Sequence, residues 1–281
     1  MNKWYKNISS IIKETGKEFT KHNPLLIGAA ISFYVLLSLG PILFLIIFSL
    51  GSIFGEKAIE GQIVNEIKNL VGDKPAQIIQ TLIEKAYKFP SKTITLITSI
   101  PLLFFGGTMV FYQLRNALNI IWEVEPSEES NGIVKKTKNY FFSIVMLLIV
   151  GFLIFLLVLK SPAIKLLQEN IPLSGVTIDI LDFVLNFVVL IFLFGMIYRI
   201  LPAVDIKWSD VWIGAAVTSF LFSIVQILVG VNISNTNPED AAGAIGSFTI
   251  LFLWIFYSSL IFLFGANFTK VYAKKKRSFN K

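Results

Sequence analysis

Between Gly243 and Asn267 the chain reads GAIGSFTILFLWIFYSSLIFLFGAN, twenty-five residues without one Asp, Glu, Lys, Arg or His. A helix needs about 20 such residues to cross a hydrocarbon core of about 30 Å. Lipid offers no hydrogen bonds to the backbone, so a segment of this kind satisfies its own N–H and C=O groups as an α-helix. The stretch therefore reads as a membrane span from about Ala244 to Phe268. Five further runs meet the same test: Pro24–Phe54, Ile94–Tyr112, Tyr140–Leu159, Val176–Tyr198 and Val211–Val231.

The rest of the composition agrees. The 281 residues are 54% hydrophobic and only 15% charged, with a mean hydropathy of +0.70. A soluble domain of this size carries about 25% charged residues, so an ordinary soluble enzyme is excluded. The expected fold class is all-α: a polytopic integral membrane protein of six transmembrane helices. No cleaved signal is read, because the first apolar run is too long and no small-residue cleavage site follows it.

Orientation follows from where Lys and Arg fall, since their excess marks the cytoplasmic side. Of the 25 basic residues, 17 lie before the first span, between the second and third, between the fourth and fifth, and after the sixth. Both termini are therefore expected in the cytoplasm, in a cytoplasmic membrane crossed several times. The net charge of +7 divides into about +9 on that side and −2 on the other, an orientation signal rather than a footprint for nucleic acid. No nucleic-acid partner is expected.

Two intervals outside the spans have amphipathic spacing. Residues 1–23 place Trp4, Ile8, Ile11, Ile12 and Phe19 near one face of a helix, with Lys and Glu opposite, as in a helix lying in the cytoplasmic interface. Residues 58–89 contain two such patterns separated by Gly72, Asp73, Lys74 and Pro75, which predicts an extracytoplasmic helical hairpin. That hairpin is either a cap on the bundle or a docking site. The domain organisation is then an interfacial helix at 1–23, a single membrane domain at 24–273 and a basic cytoplasmic tail at 274–281. Two short strings, GAAISF at Gly28–Phe33 and GAAVTSF at Gly214–Phe220, are alike and begin at the same end of their spans.

Polar side chains within lipid mark protein-facing, water-facing or substrate-facing positions. Thr108, Tyr112, Arg115 and Asn119 fall at helical spacing, with Asn116 beside them. The stripe suits a hydrated cavity or a lipid head-group contact, and equally an interface anchor in which Arg115 snorkels to phosphate. Asp182 and Asn186, with Asp179 nearby, suit cation or proton handling, and carboxylates also suit the first turn of a helix without further role. Ser258 and Asn267 complete the substrate-pathway candidates. Pro41, Pro101, Gly106 and Gly107 are the hinge candidates, because Pro removes a backbone hydrogen bond and Gly thins the helix.

Catalytic chemistry has little to build on. One His, no Cys and no soluble acidic cluster leave no hydrolytic metal site, and GxSxG, P-loop and HExxH motifs are all missing. Neither catalytic residues nor a metal or other cofactor is expected.

Four stretches carry a resemblance to the YihY/BrkB family of bacterial inner-membrane proteins: AAISFYVLLSLGPILFLIIFSLG at Ala29–Gly51, LRNALNIIWEVE at Leu114–Glu125, YRILPAVDIKWSDVWIGA at Tyr198–Ala215, and the Gly243–Asn267 stretch. The chain departs from that pattern at Gly40-Pro41, where the family commonly has Pro-Pro, and at Asn267, where it commonly has an acidic residue. The resemblance implies a six-helix inner-membrane protein. Some members carry a ribonuclease label, which the residue inventory here argues against, and others are linked to envelope resistance and lipid export. The expected function is a transporter or flippase-like protein for a lipid or amphiphile, with membrane lipids as partners. The alternative is a non-enzymatic scaffold or envelope-assembly factor with an envelope protein, or a second copy of the chain, as partner.

Overall fold

A computed structural model describes residues 2–54, 76–77, 79–80, 109–124, 153, 175–234 and 243–279. Among the described residues all regular structure is helical. We number the elements α1 (Asn2–Lys21), α2 (Pro24–Phe54), α3 (described over 109–121), α4 (Gly175–Ile200), α5 (Trp208–Ser234) and α6 (Gly243–Phe279). The expected span Tyr140–Leu159, most of Ile94–Tyr112 and nearly all of the hairpin at 58–89 lie outside the described residues, as do Pro101, Gly106, Gly107 and Thr108.

Three described helices are each long and apolar enough to cross a membrane, over Gly175–Ile200, Trp208–Gln226 and Leu251–Arg277. A fourth candidate is the pair Ser9–Lys21 and Pro24–Leu39, which meets at a bend of 71°. The bend has a local cause. Asn23 takes the left-handed conformation, φ 48°, which Asn tolerates better than most residues. Its carbonyl accepts from Leu26 N at 3.1 Å and Ile27 N at 3.3 Å, and Pro24 supplies the preset φ of a first helical residue. From there α2 continues as one helix through Pro41 to Phe54.

Two helices run further than their apolar stretches. α3 continues past Tyr112 to Ile121, and α6 past Phe268 to Phe279. At 37 residues α6 is about 55 Å long, well beyond a hydrocarbon core. Its last turns are the basic segment, and α1 packs alongside them. Phe19 of α1 meets Phe264 of α6 edge to face at 5.7 Å, and Thr15 is fully buried. Phe19 thus rests on α6, while Ile12 of the expected apolar face is exposed.

α6 is the centre of the bundle, in contact with α1, α2 and α5, while α4 packs on α5. The likeness between GAAISF and GAAVTSF has a structural counterpart here. In each string the Gly faces α6 and the hydroxyl four residues later bonds back to the Gly carbonyl: Ser32 Oγ to Gly28 O at 2.7 Å, Thr218 Oγ1 to Gly214 O at 2.8 Å. Gly28 lies under Leu260 and Phe256 of α6, and Gly214 under Thr269. Without a hydrophobic drive between helices in lipid, small residues that let backbones approach supply the packing.

Between α4, α5 and α6 lies an aromatic core. Tyr198 is buried among Phe194 and Phe262, and Phe222 packs on Phe194. The Tyr198 hydroxyl donates to Phe262 O at 2.8 Å and lies 2.9 Å from Thr218 Oγ1. With Thr218 also donating to Gly214, two hydroxyl protons serve three contacts. The buried phenol therefore ties all three helices together at one point.

Candidate functional site

The densest set of ionisable groups among the described residues is at the end of the bundle where α1 lies against α6. α3 reaches it through a turn of defined type. Glu123 N donates to Ile120 O at 3.1 Å and Val124 N to Asn119 O at 3.0 Å, the paired bonds of a Schellman motif. The residue after such a helix adopts the left-handed conformation and is usually Gly; here it is Glu123, φ 54°. A side chain with a β-carbon costs about 1–2 kcal/mol in that conformation. The strained position delivers a carboxylate to three ammonium groups: it bonds Lys21 Nζ and lies 3.3 Å from Lys270 Nζ and 3.7 Å from Lys274 Nζ.

Lys270 is the buried member, 1% exposed. Its ammonium donates to Glu18 Oε2 of α1 at 2.7 Å. Isolated burial of that charge would be prohibitive, and two carboxylates offset it. Further along α6, Lys275 pairs with Glu14 at 2.9 Å and Lys276 with Asp210 of α5 at 2.7 Å. Asp210 is also 1% exposed, lies in the first turn of α5, where the helix dipole favours an anion, and accepts from Ser209 Oγ at 3.1 Å. The basic tail is thus an ion-paired surface that holds α1 and the start of α5.

These pairings shift the titrations. The Lys21 hydrogen bond first, with the Lys270 charge next, holds the Glu123 carboxyl down to about 2. The Lys270 hydrogen bond keeps Glu18 below its ordinary value. His22 sits at the α1–α2 bend between them, with burial first and then Lys21 and Lys270 lowering its affinity for a proton. Its Nε2 is shut off from solvent and has no hydrogen-bond partner among the described residues. Donor atoms of Glu18, His22 and Glu123 lie within 4.8 Å of one another, a spacing that a cation would accept. Both carboxylates already hold ammonium groups, however, so the arrangement is an ion-pair cluster.

The sequence-predicted candidates are distributed differently. On α3, Tyr112 and Asn116 are exposed and Arg115 is half-buried, so Tyr112 and Asn116 do not face a shared interior. Asn119 ties two elements together: its Oδ1 accepts from Ala203 N at 2.9 Å, fixing the connection between α4 and α5 to α3. Asp182 and Asn186 do come together, Asn186 Nδ2 donating to Asp182 Oδ2 at 3.1 Å. Ser258 uses its hydroxyl on Trp254 O of its own helix at 2.8 Å. Asn267, 2% exposed, donates Nδ2 to Leu263 O at 2.8 Å, and its Oδ1 has no partner among the described residues. Pro41 lies within α2.

Sequence reasoning missed Glu18, His22, Glu123 and Lys270. The Lys–Glu pairs join residues far apart in the chain, 252 for Lys270 and Glu18 and 102 for Lys21 and Glu123, and a count of charges per interval carries no information on which Lys meets which Glu. One local signal existed: Glu123 lies within the LRNALNIIWEVE block, where a helix ends without Gly.

Long apolar helices, a helix bent across their end and a paired ionic cluster outside the apolar stretches define a helical membrane protein. The chain belongs to the Virulence factor BrkB family, which it matches over residues 15–281. Its curated relatives include UPF0761 membrane proteins: one of Psychrobacter sp. is 25% identical over 92% of this chain and 46% of its own length. Another, of Kangiella koreensis, is 23% identical over 94% of this chain and 64% of its own. A third, of Photobacterium profundum, is 26% identical over 92% and 79%. The chain thus spans between about half and two thirds of the length of the first two. No solved structure matches.

Proposed function

We propose that this chain moves a lipid or other amphiphile across the cytoplasmic membrane, as a transporter or flippase-like protein without enzymatic activity, built on six spans with its charged end in the cytoplasm. The observation that carries the reading is Asn267. An amide fully inside a membrane-spanning helix, with its carbonyl oxygen unpartnered among the described residues, costs about 1–3 kcal/mol unless water or a substrate group meets it. Polar side chains are kept in such places where a pathway needs them. Asp182 with Asn186 supplies a second polar pair within a span, and membrane lipids are the partners implied. Arg115, half-buried on α3, is the side chain suited to a phosphate head group.

Reconstitution into liposomes with labelled lipids tests this. Translocation above that of empty liposomes is expected, with most of it lost in Asn267→Leu and Arg115→Ala while both still insert. Translocation no faster than in empty liposomes would overturn the reading.

A second reading, a non-transporting scaffold, draws on the closed contacts of α5 with α6, where Gly214 and Gly265 leave no room for a methyl group. It predicts that the protein co-purifies with an envelope protein or with itself, and that deleting residues 58–89 abolishes this while insertion persists.

A further inference from the structure

We propose that His22 is a proton-binding switch on the closure between α1 and α6, an imidazole that, once protonated, competes with Lys270 for the carboxylates of Glu18 and Glu123. The switch acts on how one end of the bundle is held, whether or not a lipid crosses.

Three features of the geometry carry it. His22 occupies the 71° bend on which α1 would swing relative to α2. Its Nε2 is sealed and unpartnered among the described residues, so a proton placed there needs an acceptor. The carboxylate acceptors of the cluster among the described residues are those of Glu18 and Glu123, each with an oxygen within 4.8 Å of an imidazole nitrogen, and they are already committed to ammonium groups. Among the described residues, the charges acting on the imidazole are Lys21 and Glu18 from α1, Glu123 from the turn after α3 and Lys270 from α6, with Lys274 on the far side of Glu123 at 3.7 Å; the first turn of α2 brings none.

Two carboxylates thus balance three ammonium groups, one of which, Lys270, cannot turn to water. A fourth cation in the same space either fails to bind or takes a carboxylate from Lys270. Because Glu18 is carried by α1, the simplest relief is for α1 to leave. Burial and the neighbouring lysines hold His22 below its ordinary value of 6.5, so the docked state binds the proton less well than the undocked one. Closure is then at full strength above about pH 6.5 and weakens as the pH falls below it, by at most about tenfold in the docked-to-undocked ratio per pH unit for one proton.

The chain contains no Cys, so Lys13→Cys on α1 and Lys207→Cys on the α4–α5 connection, both exposed, can carry spin labels for distance measurement in nanodiscs. One short separation is expected at about pH 8, with a longer population growing in reversibly at about pH 5.5. His22→Gln should keep the short separation at both pH values, and Glu18→Gln should show the longer one at both. An unchanged separation in the parent chain, an equal shift in His22→Gln, or a Glu18→Gln chain that stays docked would each overturn the proposal.

Discussion

Gly214 of α5 and Thr269 of α6 meet so closely that a β-carbon at 214 would lie 2.8 Å from Thr269 Cβ. Four residues along each helix the relationship is reversed, with Gly265 of α6 under Thr218 of α5 at a comparable 2.9 Å. The two helices run antiparallel, and each contributes one Gly-x-x-x-Thr segment. Each Thr hydroxyl bonds back to the Gly carbonyl of its own helix, at 2.8 Å in both cases. No polar proton is left exposed at the point of closest approach, so the pair can face lipid-depth surroundings at little cost.

Gly214→Ala and Gly265→Ala should therefore each destabilise the bundle, by about 1–3 kcal/mol as for an overpacked core, read as a lowered unfolding midpoint in detergent. Exchanging the roles, as in Gly214→Ala with Thr269→Gly, should recover part of the loss. A cycle of the two single variants and the double one should show coupling of about 0.5 kcal/mol or more. Additive losses would mean that the helices do not meet at these residues.

Glu123 combines a strained backbone with a charge, and substitution can separate them. Glu123→Gly relieves the left-handed conformation, while Glu123→Gln keeps it; both remove the carboxylate. The Gly variant should be more stable than the Gln variant by about 1 kcal/mol. Both should loosen α1, seen as faster amide exchange over residues 9–21. If backbone relief made Glu123→Gly as protected as the parent chain, the carboxylate would have no role in docking.

The helices and the ionic cluster are not equally legible in the sequence. Helices α2, α4, α5 and α6 follow from apolar runs, because burial in lipid demands many residues of one kind in a row. Apolar counting ends α3 and α6 too early for the complementary reason: Arg115, Asn119 and Lys270 are polar, and the count stops where they begin, although the helices continue. The docking of α1 on α6 is beyond its reach, since Phe19 suits a lipid interface and a protein neighbour alike. Which Glu meets which Lys depends on how helices pack, and a basic tail looks the same whether it serves topology, pairing or both.

Acid should act on α1 in two stages. In His22→Gln the histidine contribution is gone, leaving Glu18, which is lowered from 4.5, and Glu123, held down to about 2. A depressed carboxylate stabilises the docked state fully above its undocked value, here about pH 4.5, and loses that contribution as the pH falls toward its docked value. Amide exchange over residues 9–21 in His22→Gln should accordingly stay flat down to about pH 4.5, after correction for the intrinsic rate, and rise below it. A rise that starts near pH 6 would point to another group.

The ionic contacts of Asp210 and of Lys270 give opposite orders of cost, because at each site the buried partner decides. At Asp210–Lys276 the carboxylate is 1% exposed and the lysine side chain 37%. Lys276→Met strands a buried anion that, among the described residues, keeps Ser209 and the start of α5, whereas Asp210→Asn frees a lysine that can turn to water. Lys276→Met should therefore cost more, toward the roughly 3–5 kcal/mol of a broken buried pair. At Lys270 the buried partner is the lysine, with Glu18 25% and Glu123 42% exposed. There the double variant Glu18→Gln with Glu123→Gln strands the ammonium and should cost more than Lys270→Met, which lets Glu18 turn to solvent and leaves Glu123 paired with Lys21 and Lys274. Unfolding midpoints of the four variants give the comparison, and the same order at both sites would mean that burial of the partner left behind does not govern the loss.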